Sequence, residues 1–240
     1  MYLALETSGD QASVALGRPG TVMVEETLPG ARQHARGLLP LIQEVLARQG
    51  AELADLDGVL VTDGPGSFTG LRIGAAVAKA LVYTRGLELW SAPSLLVQAA
   101  GCVPDCSGRI LAVADALRGD IFAAMYRFPG GRIEVDVPPG VFRPAELVAD
   151  VPRPKVVVGH LRSELLAPFD GWIDGGTLLL VDARPSAGVL LQLLGQAGGL
   201  QRIEPDQVAH WEPEYGRPAE AQARWETAHG RPMHRQGGSV

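Results

Sequence analysis

The chain has 240 residues, of which 46% are hydrophobic and 20% charged, with a net charge of −6. This composition is typical of a globular protein with one large domain or two compact lobes. A net acidic chain lacks the basic footprint of proteins that grip a nucleic-acid backbone, so we do not expect it to bind nucleic acid strongly and directly. The N-terminus has no signal-peptide pattern and no apolar run is long enough for a membrane span, which predicts a cytoplasmic protein.

The first 105 residues predict a lobe in which three strands precede alternating helices and strands. Short apolar runs at 2–5 and 12–16 are separated by Ser-Gly-Asp, a β-hairpin signal. A third strand follows at 21–26. The remaining predicted elements are a helix ending before Gly50, a strand ending at Asp63, a helix from Gly70 to near Gly86, a strand at 87–93 and a helix at 94–101.

Residues 106–215 repeat this order and predict a second lobe. Two strands joined by a turn at 118–120 are followed by a third at 131–142. A short helix at 143–150, a strand at 155–160 and a helix at 184–199 complete the pattern. The fold class predicted is therefore α/β, a duplicated actin-like or sugar-kinase-like two-lobe fold. Residues 216–240 are polar and end on Gly-Gly-Ser-Val, so we predict a flexible tail with one short helix near 219–227.

The stretch TDGPGSFTGLRIGAAVAKAL, residues 62–81, resembles a phosphate-binding loop but matches neither common motif. A P-loop requires lysine and then serine or threonine after its second glycine, whereas Gly70 is followed by Leu71 and Arg72. The dinucleotide fingerprint requires a shorter glycine spacing. A general anion site at the helix N-terminus remains open, with Ser67, Thr69 and Arg72 nearby. The alternative is that Ser67 or Thr69 only caps the helix.

The same stretch places small residues on one helix face. Gly70, Gly74 and Ala78 are four residues apart, Ala75 widens the stripe, and Leu71 and Leu81 flank it. Glycine inside a helix costs about 1 kcal/mol relative to alanine, so the stripe indicates a close approach by another segment. That segment is either the protein's own sheet or a helix of a partner, and the sequence leaves both open.

Candidate catalytic groups are few. Glu6 and Thr7 end the first strand and Asp63 ends a buried one, positions where α/β folds often carry function, although a strand-end carboxylate or a turn contact explains them equally. His34 has no second histidine one turn on, and Cys102 and Cys106 lack the further pair that a zinc site needs, so no metal site is predicted. A kinase-like or ATP-hydrolysing enzyme that uses Glu6, Asp63 and the Gly64–Gly70 loop remains the alternative hypothesis.

Five stretches in this order resemble the TsaB (YeaZ) family, over roughly residues 1–218: LALETSGDQASVAL, RQHARGLLPLIQEVL, DGPGSFTGLRIGAAVAKAL, VADALRGDIFAAMY and EPEYGRP. The resemblance implies the actin-like fold of ribonuclease-H type and a non-catalytic subunit. That subunit supports TsaD in forming N6-threonylcarbamoyladenosine at position 37 of tRNAs that read codons starting with A. It implies binding to TsaD, assembly with the ATPase TsaE, and a homodimer when alone. ATP and metal are then expected in the partner subunits and not in this chain.

The resemblance also implies which residues act. The docking surface would be a helical bundle built from the two first-lobe helices, with these residues: His34, Leu38, Leu39, Ile42, Leu46, Gly70, Leu71, Gly74, Ala75, Ala78 and Leu81. The sister family TsaD carries a His-x3-His metal pair, which is absent here because Leu38 follows His34 at that spacing. Glu6 stands where many TsaB sequences have aspartate. We therefore expect at most a vestigial anion or nucleotide contact, from Glu6, Thr7, Asp63, Ser67, Thr69 and Arg72.

Overall fold

The computed structural model describes residues 1–30, 34–102, 108–181 and 183–216. The predicted lobe boundary at 105/106 and the predicted tail beyond Gly216 lie outside the described residues. In chain order the strands are β1 (Tyr2–Glu6), β2 (Gln11–Arg18), β3 (Thr21–Pro29), β4 (Gly58–Gly64), β5 (Glu88–Pro93), β6 (Ile110–Asp115), β7 (Ile121–Arg127), β8 (Glu134–Phe142), β9 (Val156–Val158), β10 (Leu178–Leu180) and β11 (Gln201–Ile203). The α-helices are α1 (His34–Arg48), α2 (Phe68–Arg85), α3 (Ser94–Ala100), α4 (Pro144–Asp150), α5 (Ser163–Leu166), α6 (Asp170–Asp174) and α7 (Ala187–Leu193).

Two sheets with the same topology confirm the predicted duplication. The first has the order β11-β5-β4-β1-β2-β3 and the second the order β10-β9-β6-β7-β8. In each, an antiparallel three-strand meander is followed by strands that pair in parallel on the other side of its first strand. The first sheet has one strand more, because β11 pairs antiparallel with β5.

Successive side chains along each strand point to opposite faces of the sheet, and they contribute to three hydrophobic cores. On β1, Leu3 and Leu5 point to a cluster formed with α1 and α2, while Ala4 points to a central cluster formed with α3 and α7. In the second sheet Ala112 faces the same central cluster, and Leu111 faces a third cluster with α4 to α6. Small residues on the inner faces let α3 and α7 approach both sheets closely.

The structure departs from the sequence prediction at several elements. Helix α2 begins at Phe68, two residues before the predicted start at Gly70. Pro40 lies inside α1 and does not begin it. The helices α5 and α6 and the strands β10 and β11 were not predicted, because each is three to five residues long and too short to show a period. No helix in the described part of the chain has the length and apolar character needed to cross a membrane.

Candidate functional site

Glu6 lies at the end of β1, buried, with a single carboxylate oxygen taking all of its described hydrogen bonds. Glu6 Oε1 accepts from the backbone N–H of Ser8 at 2.7 Å, from Thr62 Oγ1 at 3.1 Å and from the Ser8 hydroxyl. Burial raises the pKa of Glu6 to about 7, although the hydrogen bonds from Ser8 and Thr62 oppose that rise. Glu6 is therefore a polar anchor of the β1–β2 turn that titrates near neutral pH.

The glycine loop before α2 is joined to this turn and caps the helix. The backbone N–H of Ser67 donates to the carbonyl oxygen of Ser8 at 2.7 Å. Ser67 Oγ accepts from the backbone N–H of Gly70 at 3.2 Å, so Ser67 is the N-cap of α2 and the capping alternative is confirmed. At Gly66 a Cβ atom would overlap the carbonyl oxygen of Ser8, so the loop requires glycine there.

The small-residue stripe of α2 packs on the protein's own first strand. A Cβ atom at Gly70 would overlap the carbonyl oxygen of Thr7, and one at Gly74 would overlap Thr7 Oγ1. Ala78 is fully buried against the cluster that α1 and α2 share with the sheet. The sequence left open whether the stripe contacts the protein's own sheet or a helix of a partner. The structure shows that it packs on the protein's own sheet.

Most of the predicted docking residues are not at the surface, because they too pack on the protein's own sheet. Of the eleven, only Leu39 is exposed and Leu81 half-buried; nine are buried inside the chain: His34, Leu38, Ile42, Leu46, Gly70, Leu71, Gly74, Ala75 and Ala78. The helical periodicity correctly identified one apolar face on each helix, but that face covers the sheet. The buried set cannot itself form the surface that the two helices present.

Other small and apolar residues of α1 and α2 are exposed to solvent. Leu39 on α1 is 57% exposed and Tyr83 on α2 is 59% exposed. Ala76 and Ala80 are also exposed on α2, and the two helices contact each other. We refer to the four exposed residues Leu39, Ala76, Ala80 and Tyr83 together as the outer face.

A cleft of about 840 Å³ separates the first-lobe turns from the second lobe. Glu6, Ser67 and Thr69 line it from the first lobe, and the turn between β6 and β7 lines it from the second. In that turn Leu117 and Arg118 both have a positive φ, of 65° and 58°. Apolar side chains supply most of the remaining wall: Leu95, Leu117, Phe122, Val141 and Tyr215.

The six predicted anion contacts do not converge on this cleft. Glu6, Ser67 and Thr69 line it, but Thr7 is buried against the α2 stripe. The guanidinium carbon of Arg72 lies 5.4 Å from the ring centre of Phe68. Only half of the predicted set thus faces the cavity in which an anion would be held.

Asp63, the sixth, lines a second cavity of about 420 Å³ with Ser91 and Glu214. Its Oδ2 accepts from Ser91 Oγ at 2.8 Å. Burial raises the pKa of Asp63 to about 6, the Ser91 hydrogen bond opposes the rise and the charge of Glu214 adds to it. Glu6 and Asp63 therefore act in separate environments.

His34, the first residue of α1, does not fit a metal centre. The residue is 1% exposed, and neither ring nitrogen has a hydrogen-bond partner among the described residues. The apolar Leu38 lies one helical turn further on. Burial lowers the pKa of His34, with Asp10 opposing that shift. Within residues 1–30, 34–102, 108–181 and 183–216, no three His, Cys, Asp or Glu side chains are grouped to share an ion.

Sequence reasoning missed a segment that runs across α2 after β11, residues 204–216, which we call the strap. Lys79 Nζ donates to the carbonyl oxygen of Ala209 at 3.3 Å and lies 5.8 Å from the ring centre of Trp211. The backbone N–H of Glu214 donates to the carbonyl oxygen of Asp63 at 2.6 Å. The rings of Tyr215 and Phe68 are 4.5 Å apart. Only the unusual aromatic content of residues 211–215 could have signalled this contact.

Comparison with known proteins identifies the family. Residues 27–189 match the family described as "TsaD: tRNA N6-adenosine threonylcarbamoyltransferase". The tRNA threonylcarbamoyladenosine biosynthesis protein TsaB of Bacillus subtilis is 30% identical over 231 residues, which is 92% of this chain and 96% of that protein. The chain belongs to the TsaB family. The TsaB protein of Escherichia coli is 35% identical over 127 residues, a match that spans only 54% of that protein's length.

A solved structure of the TsaB family agrees with the fold. YeaZ from Pseudomonas aeruginosa has a TM-score of 0.73 and 25% identity, and the match covers 89% of this chain and 98% of that one. The fold with its two sheets is thus shared along nearly the whole length of YeaZ.

Proposed function

We propose that this chain is a non-catalytic subunit that binds and supports TsaD in forming N6-threonylcarbamoyladenosine at position 37 of tRNAs that read codons starting with A. The observation that carries the proposal is the similarity to the Bacillus subtilis TsaB, which runs almost the full length of both proteins. TsaE joins through the complex with TsaD, ATP and metal are held by the partner subunits, and tRNA contact is indirect.

The chemistry of the cleft supports a non-catalytic role. The histidine pair of the sister family is replaced by His34 and Leu38, and His34 is sealed inside the chain. Glu6 and Asp63, the two carboxylates that the enzyme hypothesis uses, line different cavities, which argues against their acting together on one phosphate. TsaD therefore supplies the catalytic groups.

The outer face supports docking by a helical partner. Exposed alanines at 76 and 80 lie one helical turn apart and allow a partner helix to approach the α2 backbone closely. Leu39 and Tyr83 supply large side chains of the kind that anchor interfaces. Two helices on each partner can bury the roughly 1,200–2,000 Å² typical of a specific interface. The same surface serves the homodimer of the isolated chain.

Gel filtration with light scattering, alone and with TsaD of the same organism, tests this function. Ala80→Arg places a long charged side chain on the outer face and is expected to weaken the complex at least about tenfold, or 1.4 kcal/mol. Ala149→Arg, at an exposed alanine of α4 in the second lobe, is the matched control and should leave binding unchanged. Absence of a wild-type complex under every nucleotide condition would refute the proposed function, and equal effects of the two variants would refute the docking face alone.

The second candidate is a kinase-like or ATP-hydrolysing enzyme, favoured by the cleft that Glu6, Ser67 and Thr69 line. It predicts that the purified chain turns over ATP by itself and that Glu6→Gln abolishes turnover while the fold survives. The scaffold function predicts no turnover by the chain alone and no change on substitution.

A further inference from the structure

The cleft between the lobes has the size of a small-molecule site and a mainly apolar wall. Its volume of about 840 Å³ lies in the range of ligand pockets, roughly 300–1,000 Å³. Phe68 and Tyr215 line it beside the first lobe, and Leu117, Phe122 and Val141 line it from the second. Leu117 is 67% exposed and Val141 is 38% exposed, so the wall leaves apolar surface in water that a ligand would cover.

The two aspartates of the cleft are paired within the chain. Asp10 Oδ1 accepts from Arg184 Nη1 and Asp115 Oδ2 accepts from Arg162 Nε, each at 2.6 Å. Both aspartates and Arg184 line the cleft. Since each carboxylate has its counter-charge beside it, these pairs attract neither a cationic nor an anionic ligand strongly.

Glu6, Arg118 and His160 also line the cleft but do not make it an ionic site. Burial raises the pKa of Glu6 to about 7, so its carboxyl group is largely uncharged below neutral pH. Arg118 and His160 are exposed, so water solvates and screens their side chains. The enclosed part of the cleft is therefore suited to an uncharged ligand.

The glycine loop beside the cleft uses hydrogen-bond donors inside the chain. The backbone N–H of Ser67 donates to the carbonyl oxygen of Ser8, and the backbone N–H of Gly70 donates to Ser67 Oγ. The Ser8 hydroxyl donates to Glu6. A phosphate group needs such donors to be free, so these contacts disfavour a phosphate ligand at this loop.

Two buried polar side chains of the lining each have an unused hydrogen-bonding atom. Gln98 is 5% exposed; its Nε2 donates to the carbonyl oxygen of Ala183 at 2.9 Å, and its Oε1 accepts no hydrogen bond from the described residues. Glu6 is 1% exposed and its Oε1 accepts three hydrogen bonds, which leaves Oε2 to carry the proton of the uncharged carboxyl group. The lining thus offers one acceptor and one donor, and buried polar groups are nearly always hydrogen-bonded. A carboxamide supplies the matching donor and acceptor.

We propose that the cleft binds an uncharged small molecule with an aromatic ring and a carboxamide group. The ring covers the apolar wall, and the carboxamide hydrogen-bonds to Glu6 or Gln98. The four residues of the outer face do not line the cleft, so this site goes beyond the docking function and does not depend on it.

Three aromatic probes of nearly equal size and different charge test the proposal: benzamide, benzoate and benzamidinium. NMR of the isotope-labelled full chain follows each titration at a pH of about 6, where Glu6 is largely protonated. Benzamide has nine non-hydrogen atoms, for which a dissociation constant on the order of 10 mM is expected. It should shift the amide resonances of residues 94–98 and 114–118. The two ions should bind at least about tenfold more weakly, because an unpaired charge is costly to bury.

Substitutions in the cleft wall locate the bound probe. Val141→Arg, at a residue that is 38% exposed, places a long side chain in the cleft and should weaken benzamide binding at least about fivefold. Leu117→Arg, at 67% exposure, is a second blocking variant with the same expected effect. Val135→Arg, 54% exposed on the strand of Val141 but outside the cleft lining, is the matched control and should leave binding unchanged. The amide spectra show whether each variant keeps its fold.

Three results would overturn the proposal. The first is benzamide that shifts no cleft resonance at its highest soluble concentration. The second is benzoate or benzamidinium that binds as tightly as benzamide, or ATP that saturates the cleft at a lower concentration, since each indicates a site for charged ligands. The third is benzamide binding that both blocking variants leave unchanged, which places the probe elsewhere.

Discussion

Gly70 of α2 lies in direct contact with the carbonyl oxygen of Thr7, so closely that no side chain fits between helix and strand end. The Nδ1 of His34 is also close, 3.3 Å from the position that a Cβ atom of Gly70 would take. The contact joins the end of β1, the start of α1 and the first turn of α2 at one point. The Gly/Ala stripe therefore determines how α2 is seated on the sheet.

Substitutions in the stripe are expected to affect folding and not docking. Gly70→Ala meets a backbone oxygen that cannot move alone, so we expect a loss of about 3 kcal/mol or more in the free energy of unfolding. Gly74→Ala meets the side chain of Thr7 and regains about 1 kcal/mol of helix propensity, so its loss should be smaller. Urea denaturation measures both.

A double-mutant cycle tests whether Gly74 and Gly70 contact Thr7 as described. Thr7→Ala removes the hydroxyl that Gly74→Ala would overlap, so the two changes should couple favourably by about 0.5–3 kcal/mol. Thr7→Ala should not rescue Gly70→Ala, because the obstacle there is backbone. Wild-type stability of Gly70→Ala would show that the helix is seated differently.

Stability should fall as pH rises from about 4.5 to 7 because of Glu6. Its pKa is raised to about 7 by burial, so the folded chain retains a proton that the unfolded chain has already released. A shift from 4.5 to about 7 corresponds to about 3 kcal/mol at most. Glu6→Gln should flatten the pH dependence of thermal unfolding over this range.

Asp63 provides the comparison for that measurement. Its pKa is raised to about 6, so Asp63→Asn should remove a separate part of the slope, centred at lower pH. Additive effects of the two variants are expected, since the carboxylates line different cavities. An unchanged slope in Glu6→Gln would contradict the buried, protonated state of Glu6.

His34 should give the opposite pH dependence, so that stability falls as the pH is lowered. Burial lowers its pKa, so the folded chain keeps it neutral while the unfolded chain gains a proton as the pH falls through about 6.5. Because both ring nitrogens lack hydrogen-bond partners within the part of the chain that the structure describes, His34→Leu should stabilise the chain by about 1–2 kcal/mol and remove this loss at acidic pH. His210→Leu, at an exposed histidine of the strap, should change neither quantity.

The attachment of the strap to α2 should depend on Trp211. Its indole packs against the cluster beneath α1 and α2 and receives the Lys79 ammonium group. Trp211→Ala is expected to raise hydrogen exchange of residues 204–216 at least about tenfold while the centre of β4 stays protected. Tyr83→Ala, at an exposed aromatic residue of α2, serves as control. Equal protection of the strap in both variants would show that other contacts hold it.

Sequence patterns predicted β1 to β9, because alternation of buried residues such as Leu3, Ala4 and Leu5 reflects two packed faces. They offered Ser67 or Thr69 as the helix cap, and the structure shows that Ser67 is the cap, a local interaction over three residues. They could not determine what the α2 stripe touches, since a strand end and a partner helix require the same small residues. The strap escaped prediction because contacts such as Phe68 with Tyr215 join distant parts of the chain.

Strand β11 belongs to the first sheet but is synthesised only after the second lobe. The edge of the first sheet beside β5 is completed by residues 201–203, and α7 packs against β2 and β3. When the ribosome has released the first hundred residues, that sheet still exposes an unpaired edge and an uncovered inner face. The N-terminal lobe therefore cannot complete its sheet until the second lobe has been translated. A truncated or stalled chain leaves the sheet edge and the inner face exposed to aggregation.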